Sequence, residues 1–387
     1  MRVLRATLLG VFLIILGMIA IGWHVIARVT ALPHPEPVES FAGLGPLAPE
    51  RPAPEAVRGL ALHVLFTSET TVPYGQFFGG LAGWVGAAAL WKGGLQRESF
   101  WAPVAIAVIV HPRHGVVLVD TGLSREQTHP FRYYSVREGG LNAGIWRDSG
   151  NRIAAEGDLA EQLARLGSAP ADVAHVVLTH LHEDHVGEVG RFPAATVHVS
   201  RLEWDDRARV SYQPSFAGVK EWDRFEFDSG AFGPFAASRD LFGDRSVVLL
   251  PTPGHTMGHS VVLVQGEEAS ALIAGDALYT LRHLDAEALA SFNYFGPQGL
   301  ATYQDSVRRI AALARQRADL VLVVPHDPFA YNLRHTRRAL ADGRLTHEEV
   351  ARLRSEQATL FDAGGRLLPE AHPHWDAEGE RVVTGIP

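Results

Sequence analysis

Three histidines and an aspartate fall within six positions in the run His180-Leu181-His182-Glu183-Asp184-His185. A lone histidine is most often a structural residue with a local partner. Three side by side are hard to satisfy that way, because every buried imidazole needs its own hydrogen-bond partner. A shared metal ion satisfies them together. Alternate residues of an extended segment point the same way, so His180 and His182 can address one ion. Asp184 and His185 follow as the chain turns and can address a second. Glu183, between ligand positions, is expected to face outward.

This cluster alone does not complete two coordination shells. Further along, His255 follows VVLLPTPG, Asp276 follows ALIAG and His326 follows LVLVVP, so each sits just past an apolar run. With these three the set reaches seven nitrogen and oxygen donors, the number expected for two metals sharing a bridging carboxylate and a hydroxide. The chain contains no cysteine, which removes disulfides, thiol nucleophiles and thiolate ligands. An all-N/O site accepts zinc, manganese, iron or cobalt. Two divalent ions are therefore expected, with zinc the leading occupant.

The elements that must position these residues are legible as short apolar runs alternating with helical patterns, which predicts a layered α/β domain. Strands are expected at 60–66, 104–111, 115–122, 173–180, 195–200, 246–254, 260–266, 270–277 and 320–326. Ligands at the carboxyl ends of such strands lie where α/β proteins usually build sites. Helices are expected at 155–166, ending at Gly167, at 300–316 and at 346–360, where Thr346 serves as cap. No short-period repeat is present, which disfavours a solenoid.

The amino terminus carries Arg2 and Arg5 ahead of an uncharged run from Ala6 to Ala27. That run is long enough to cross a bilayer, which takes roughly 20 residues. The paired arginines predict a cytoplasmic start with the remainder exported to the periplasmic or extracellular side. Val29-Thr30-Ala31 would suit signal cleavage; the length of the apolar core favours a retained transmembrane anchor. The expected organisation is an anchor over 1–31, a proline-rich linker over 32–54, an α/β domain carrying the candidate ligands over 55–330 and an extension over 331–387. From Thr70 to Trp91 there is no charged residue, but glycines and Pro73 argue against a second span. The stretch reads either as a packed loop or as an apolar wall for a substrate tail. The net charge of −8, with no basic run, argues against nucleic acid as a partner.

The ordered ligand set resembles the metallo-β-lactamase superfamily of metal-dependent hydrolases, whose fold is a four-layer αβ/βα sandwich. The resemblance runs from about Leu60 to His326. It implies a first metal on His180, His182 and His255, a second on Asp184, His185 and His326, and Asp276 as the bridge. It also implies that His259, in Gly254-His255-Thr256-Met257-Gly258-His259, supports the site without ligating. Asp120, in Val119-Asp120-Thr121-Gly122, would buttress the metal histidines from behind.

Within the superfamily, the lack of cysteine and the bridging Asp276 depart from the lactamases. Histidine at 182 departs from the diiron flavoproteins. Asp276-Ala277-Leu278-Tyr279 resembles the Asp-x-x-Tyr of the N-acyl-homoserine-lactone lactonases of quorum quenching. That likeness implies opening of a small-molecule ester or lactone by a metal-activated hydroxide, with Tyr279 donating to the oxyanion and Asp184 shuttling the proton. The anchor, the apolar stretch and the extension after His326 depart from that branch. An exported phosphodiesterase, a thioesterase, or a non-catalytic membrane-tethered binding protein of the same fold are the alternatives.

Overall fold

The computed structural model describes residues 57–73, 99–128, 151–154, 157–207, 213–267, 270–284, 297–317 and 319–327, with short pieces at 10, 15–17, 373–375 and 381–383. All nine expected strands are present, as β1 (Ala61–Pro73), β2 (Ser99–His111), β3 (Gly115–Val119), β5 (Val173–Val177), β6 (Thr196–Ser200), β9 (Val247–Pro251), β10 (Ser260–Gln265), β11 (Ser270–Ile273) and β12 (Leu320–Val323). The sequence reading did not anticipate β4 (Asn151–Ile153), β7 (Glu221–Phe225), β8 (Arg239–Asp240), β13 (Pro373–Trp375) or β14 (Arg381–Val383). These are two to five residues long and mostly polar, so they carry no apolar run to mark them.

One sheet has the order β4-β1-β2-β3-β5-β6-β7 and a second β12-β11-β10-β9-β8, while β13 and β14 pair by themselves. β1, β2 and β4 run antiparallel to their neighbours. β3, β5, β6 and β7 are parallel. The buried ValVal and Leu-rich runs suit these central strands, because β-branched side chains pack well on a pleated surface covered on both faces.

The inner faces of the sheets share a core that includes Val117, Val119 and Val177 from the first and Leu249, Val262 and Ile273 from the second. The outer face of the first sheet packs against α1 (Leu159–Arg165) through Leu159 and Leu163, and against Leu181 and Val186. The outer face of the second sheet packs against α4 (Pro297–Gln316) through Tyr303, Val307, Ile310 and Leu313. The result is the αβ/βα arrangement that the family resemblance implies. α1 starts later than 155 because Gly157 has φ +93° and Asp158 caps the helix, its carboxylate accepting from Glu161 N at 3.0 Å. Two further short helices, α2 (Glu183–Val186) and α3 (Arg201–Asp205), lie beside the ligand loops.

Four expectations fall wholly or mainly outside the described residues: the linker, the helix at 346–360, the extension over 331–387 and the membrane-spanning helix. Of the terminal apolar run only Gly10 and Ile15–Gly17 are described, and these are helical. Among the described residues no helix is long and apolar enough to cross a membrane. Thr70–Pro73, expected to open a loop, instead complete the long strand β1, paired with β2 through Pro73↔Ser99. The remainder of that stretch lies outside the described residues.

Candidate metal centre

The strands stop short of the ligands. β3 ends at Val119 because Asp120 turns into the left-handed region at φ +62°, and β11 ends at Ile273 before Gly275 at φ +48°. The candidate ligands thus sit in turns at strand ends. His180 follows β5, His182 caps α2, Asp184 and His185 lie within it, His255 follows β9, Asp276 follows β11 and His326 follows β12.

Four of these seven residues approach Asp276 directly, and His182 and Asp184 join the cluster through His255 and His326. Asp276 Oδ2 lies 3.2 Å from His255 Nε2 and 3.7 Å from His180 Nε2. Its Oδ1 lies 3.0 Å from His326 Nε2 and 3.1 Å from His185 Nε2. His255 Nε2 also approaches His180 Nε2 at 3.1 Å and His182 Nδ1 at 2.8 Å. Asp184 Oδ2 lies 3.4 Å from His326 Nε2. The donors form two groups, His180, His182, His255 with Asp276, and Asp184, His185 with His326. One carboxylate oxygen thus faces each group, which is the partition the family resemblance implies.

The tautomers identify what these groups need. His326 Nδ1 donates to Pro103 O at 2.7 Å, and His185 Nδ1 donates to Asp120 Oδ2 at 2.8 Å. Thr179 Oγ1 donates to Asp120 Oδ2 at 2.8 Å and so accepts from His180 Nδ1 at 3.1 Å. Once neutral, each of these rings turns an Nε2 lone pair toward the carboxylate. Asp276 Oδ1 is buried with no hydrogen bond made to it, and His326 Nε2, only 3.0 Å away, can bond it only while protonated, since two acceptors cannot bond one another. A cation between them removes the conflict. The nitrogen separations of the first group are also near the edge of a zinc tetrahedron, roughly 3.3 Å for Zn–N bonds of about 2.0–2.1 Å. The residues fit two metal ions.

The electrostatics agree. Burial holds His180 and His255 well below the ordinary imidazole value and also lowers His182, so their lone pairs are kept. Burial would lower His185 and His326 too, but the Asp276 and Asp184 carboxylates outweigh it and raise both. Burial would raise Asp276, yet His326, His185, His255 and His180 pull it well below the ordinary carboxylate value. A metal ion entering the second group must displace those protons.

Asp120 accepts from Thr179 N and Thr179 Oγ1, both at 2.8 Å, as well as from His185, and so braces ligands on both sides of the site. His259 Nδ1 meets Thr252 Oγ1 at 2.8 Å, while its Nε2 accepts from Asp276 N at 3.0 Å, so it orients the bridge and has no nitrogen left for a metal. Tyr279 is buried, with Oη 3.0 Å from His255 Nδ1. Glu183, expected to face outward, is half-buried, and burial pushes its carboxyl up to about 7.

The residue that sequence reading missed is Glu203, on α3. It is fully buried and its carboxylate reaches both loops of the first ligand group. Ser200-Arg201-Leu202-Glu203 has the spacing of a helix capping box, which would have marked the position but assigned the side chain to the wrong partner.

A third grouping, His111, His114 and Asp244, is close enough by distance to hold an ion. Its chemistry does not fit one. His111 Nδ1 accepts from the backbone N–H groups of Arg113 and His114 at 3.1 and 3.2 Å, so its Nε2 carries the proton and offers no lone pair. Arg113 already pairs with Asp244. This grouping locks the β2–β3 hairpin to the start of β9.

Residues 100–326 match the Metallo-beta-lactamase superfamily. The N-acyl homoserine lactonase AttM of Agrobacterium fabrum (strain C58) is 33% identical over 246 residues, covering 59% of this chain and 83% of that protein. The N-acyl homoserine lactonase AiiA of Bacillus thuringiensis subsp. kurstaki is 26% identical over 241 residues, covering 60% and 84%. Among solved structures, a point mutant of B. thuringiensis AiiA with N-decanoyl-L-homoserine bound at its active site superposes with a TM-score of 0.53 at 19% identity, over 70% of this chain and 94% of that one. With two packed sheets, seven converging donors and a domain match across most of the described chain, the protein belongs to the metallo-beta-lactamase superfamily.

Proposed function

We propose that the protein is a dinuclear metal-dependent hydrolase that opens the ring of an N-acyl homoserine lactone. The observation that carries the reading is Tyr279, three residues beyond the bridging carboxylate, with its hydroxyl 3.0 Å from Nδ1 of the ligand His255. Lactonases among the relatives, AttM and AiiA, give the substrate class.

His180, His182 and His255 would hold one ion, Asp184, His185 and His326 the other, and Asp276 both. When bound, such ions supply Lewis acidity and bring the pKa of water toward about 7. With Nε2 of His255 committed as a ligand, its Nδ1–H donates to the Tyr279 oxygen and fixes the phenol. Tyr279 in turn donates its O–H to the ester oxygen as negative charge develops there. Asp184, with a side chain 21% exposed and Oδ2 3.4 Å from His326 Nε2, would face both the donor cluster and the substrate. It accepts the proton of the attacking water and returns it to the ring oxygen as the acyl C–O bond breaks. The products are balanced: water adds across the ester, and one hydroxy acid results.

Residues 6–27 would anchor the chain in a membrane with the hydrolase domain on the exported side, a reading supported by the uncharged run behind Arg2 and Arg5. The apolar stretch beyond Pro73 would hold the acyl chain.

Purified full-length protein loaded with zinc is expected to convert N-acyl homoserine lactones to N-acyl homoserines. Turnover of phosphodiesters or thioesters without any lactone opening would refute the substrate assignment. Recovery of the intact chain in the soluble fraction of disrupted cells would refute the anchor.

A further inference from the structure

Glu203 is the strongest unassigned feature of the molecule. Its side chain is fully buried, and among the described residues no lysine or arginine pairs with it. Oε1 accepts from Leu181 N at 3.0 Å, and Leu181 stands between the ligands His180 and His182. Oε2 accepts from Thr256 Oγ1 at 2.7 Å and Gly258 N at 3.1 Å, and Thr256 follows the ligand His255. Ser200 completes the clamp: its Oγ donates to Gly258 O at 2.6 Å and accepts from Glu203 N at 3.2 Å. The 255–258 loop lies so close against α3 that a Cβ on Gly258 would lie 2.1 Å from Glu203 N.

All three ligands of the first group therefore hang on loops that meet at one carboxylate. No comparable contact joins Glu203 to Asp184, His185 or His326. Burying a carboxylate without a cationic partner is costly, and a role confined to helix α3 would be served by a neutral residue. What three convergent donors provide is a fixed separation between the 180–182 and 255–258 loops, the separation that sets the spacing of the three nitrogens.

We infer that Glu203 is a positioning residue for the first metal ion alone, holding the His180–His182 loop and the His255 loop at the spacing that the ion requires. The inference rests on the two-metal reading and adds an asymmetry to it. Glu203→Gln keeps the shape but presents a donor where at least one of the three N–H and O–H groups needs an acceptor. Thr256→Val removes one of the three bonds at nearly constant volume.

The test is cobalt and zinc titration of the metal-free full-length chain, with Co(II) absorption as the signature of each site. His182→Ala and His326→Ala supply the reference spectra for loss of the first and second ion. Glu203→Gln is expected to weaken one ion by about 10–100-fold, the range for residues that orient ligands, with the spectral change of His182→Ala and the other ion unaffected. Thr256→Val is expected to weaken the same ion by a smaller factor, and it decides the matter if Glu203→Gln does not fold. Unchanged affinities and spectra in a folded variant overturn the inference. So does equal weakening of both ions, which would mark a merely structural residue. A wild-type chain that takes up fewer than two ions overturns the two-metal reading and this inference together.

Discussion

Replacing Asp120 by asparagine isolates one charge at the back of the metal centre. Asparagine tolerates the left-handed backbone at φ +62° as well as aspartate does, so the turn after β3 is preserved. The change falls on three hydrogen bonds of 2.8 Å, from Thr179 N, Thr179 Oγ1 and His185 Nδ1. An amide has one acceptor oxygen where the carboxylate had two, so one arm becomes a donor facing donors. Should the amide nitrogen meet His185, the ring must move its proton to Nε2, which withdraws the lone pair from the second ion. The lost charge-assisted bond is worth about 2 kcal/mol, which is about 30-fold in affinity. The first ion feels the change only through Thr179 Oγ1 and His180, a neutral bond worth about 0.5–1 kcal/mol and hence about 2–5-fold. Competition of the metal-free chain against a chromophoric zinc chelator reads both steps. The expected order, second ion weakened more than first, is the reverse of that expected for Glu203→Gln. Wild-type affinity for both ions in a folded Asp120→Asn chain would refute the argument that this carboxylate fixes the ligand tautomers.

Other outcomes follow from the same geometry. Tyr279→Phe should fold and keep both ions, yet lose about 10²-fold in kcat on lactones, the effect of deleting one oxyanion donor; full activity would reduce Tyr279 to packing. Gly275→Ala should destabilise the protein by about 1–3 kcal/mol in thermal unfolding, because its Cβ would lie 2.7 Å from His259 Nε2 at a φ of +48°. His175 is neutral in the fold, with its pKa lowered to about 4 by burial and by His198, His114 and His111, against 6.5 when unfolded. The unfolded chain binds the extra proton, so stability should fall as pH drops from 6.5 toward 4. For this half-buried ring the loss is about 1–2 kcal/mol after discounting for solvent screening, and it should be missing from His175→Gln in denaturant titrations across that window. Deleting residues 74–91 should narrow the preference for long-chain over short-chain lactones; an unchanged ratio of kcat/KM values counts against an acyl-binding role.

The sequence exposes the central strands and the ligands for the same reason. A parallel strand buried on both faces must be an apolar run, and the first polar residue after it marks the strand end where sites form. Hence Leu320–Val323 pointed to His326, and Ser270–Ile273 to Asp276. Edge strands such as Glu221–Phe225 lack that pattern because one side faces solvent, and they were missed. Glu203 escaped for a different reason. In Arg201-Leu202-Glu203-Trp204-Asp205-Asp206 it is one of several charges on an apparent surface helix, and its burial is created by loops 22 and 53 residues away in sequence. Local pattern carries no trace of a partner that tertiary structure brings in.

The division of the ligands between the two sheets bears on how the protein acquires activity during synthesis. The first cluster is complete once residue 185 has been made, but His326 lies 141 residues beyond His185. Neither half owns a finished site, so an ion that binds early is held by an incomplete shell and exchanges readily. Once both halves are docked, the ions tie distant stretches of chain together, and metal binding becomes folding energy for the whole domain. Stripping the metals should then do more than silence the enzyme: it loosens the seam along which the two halves of the sandwich were closed.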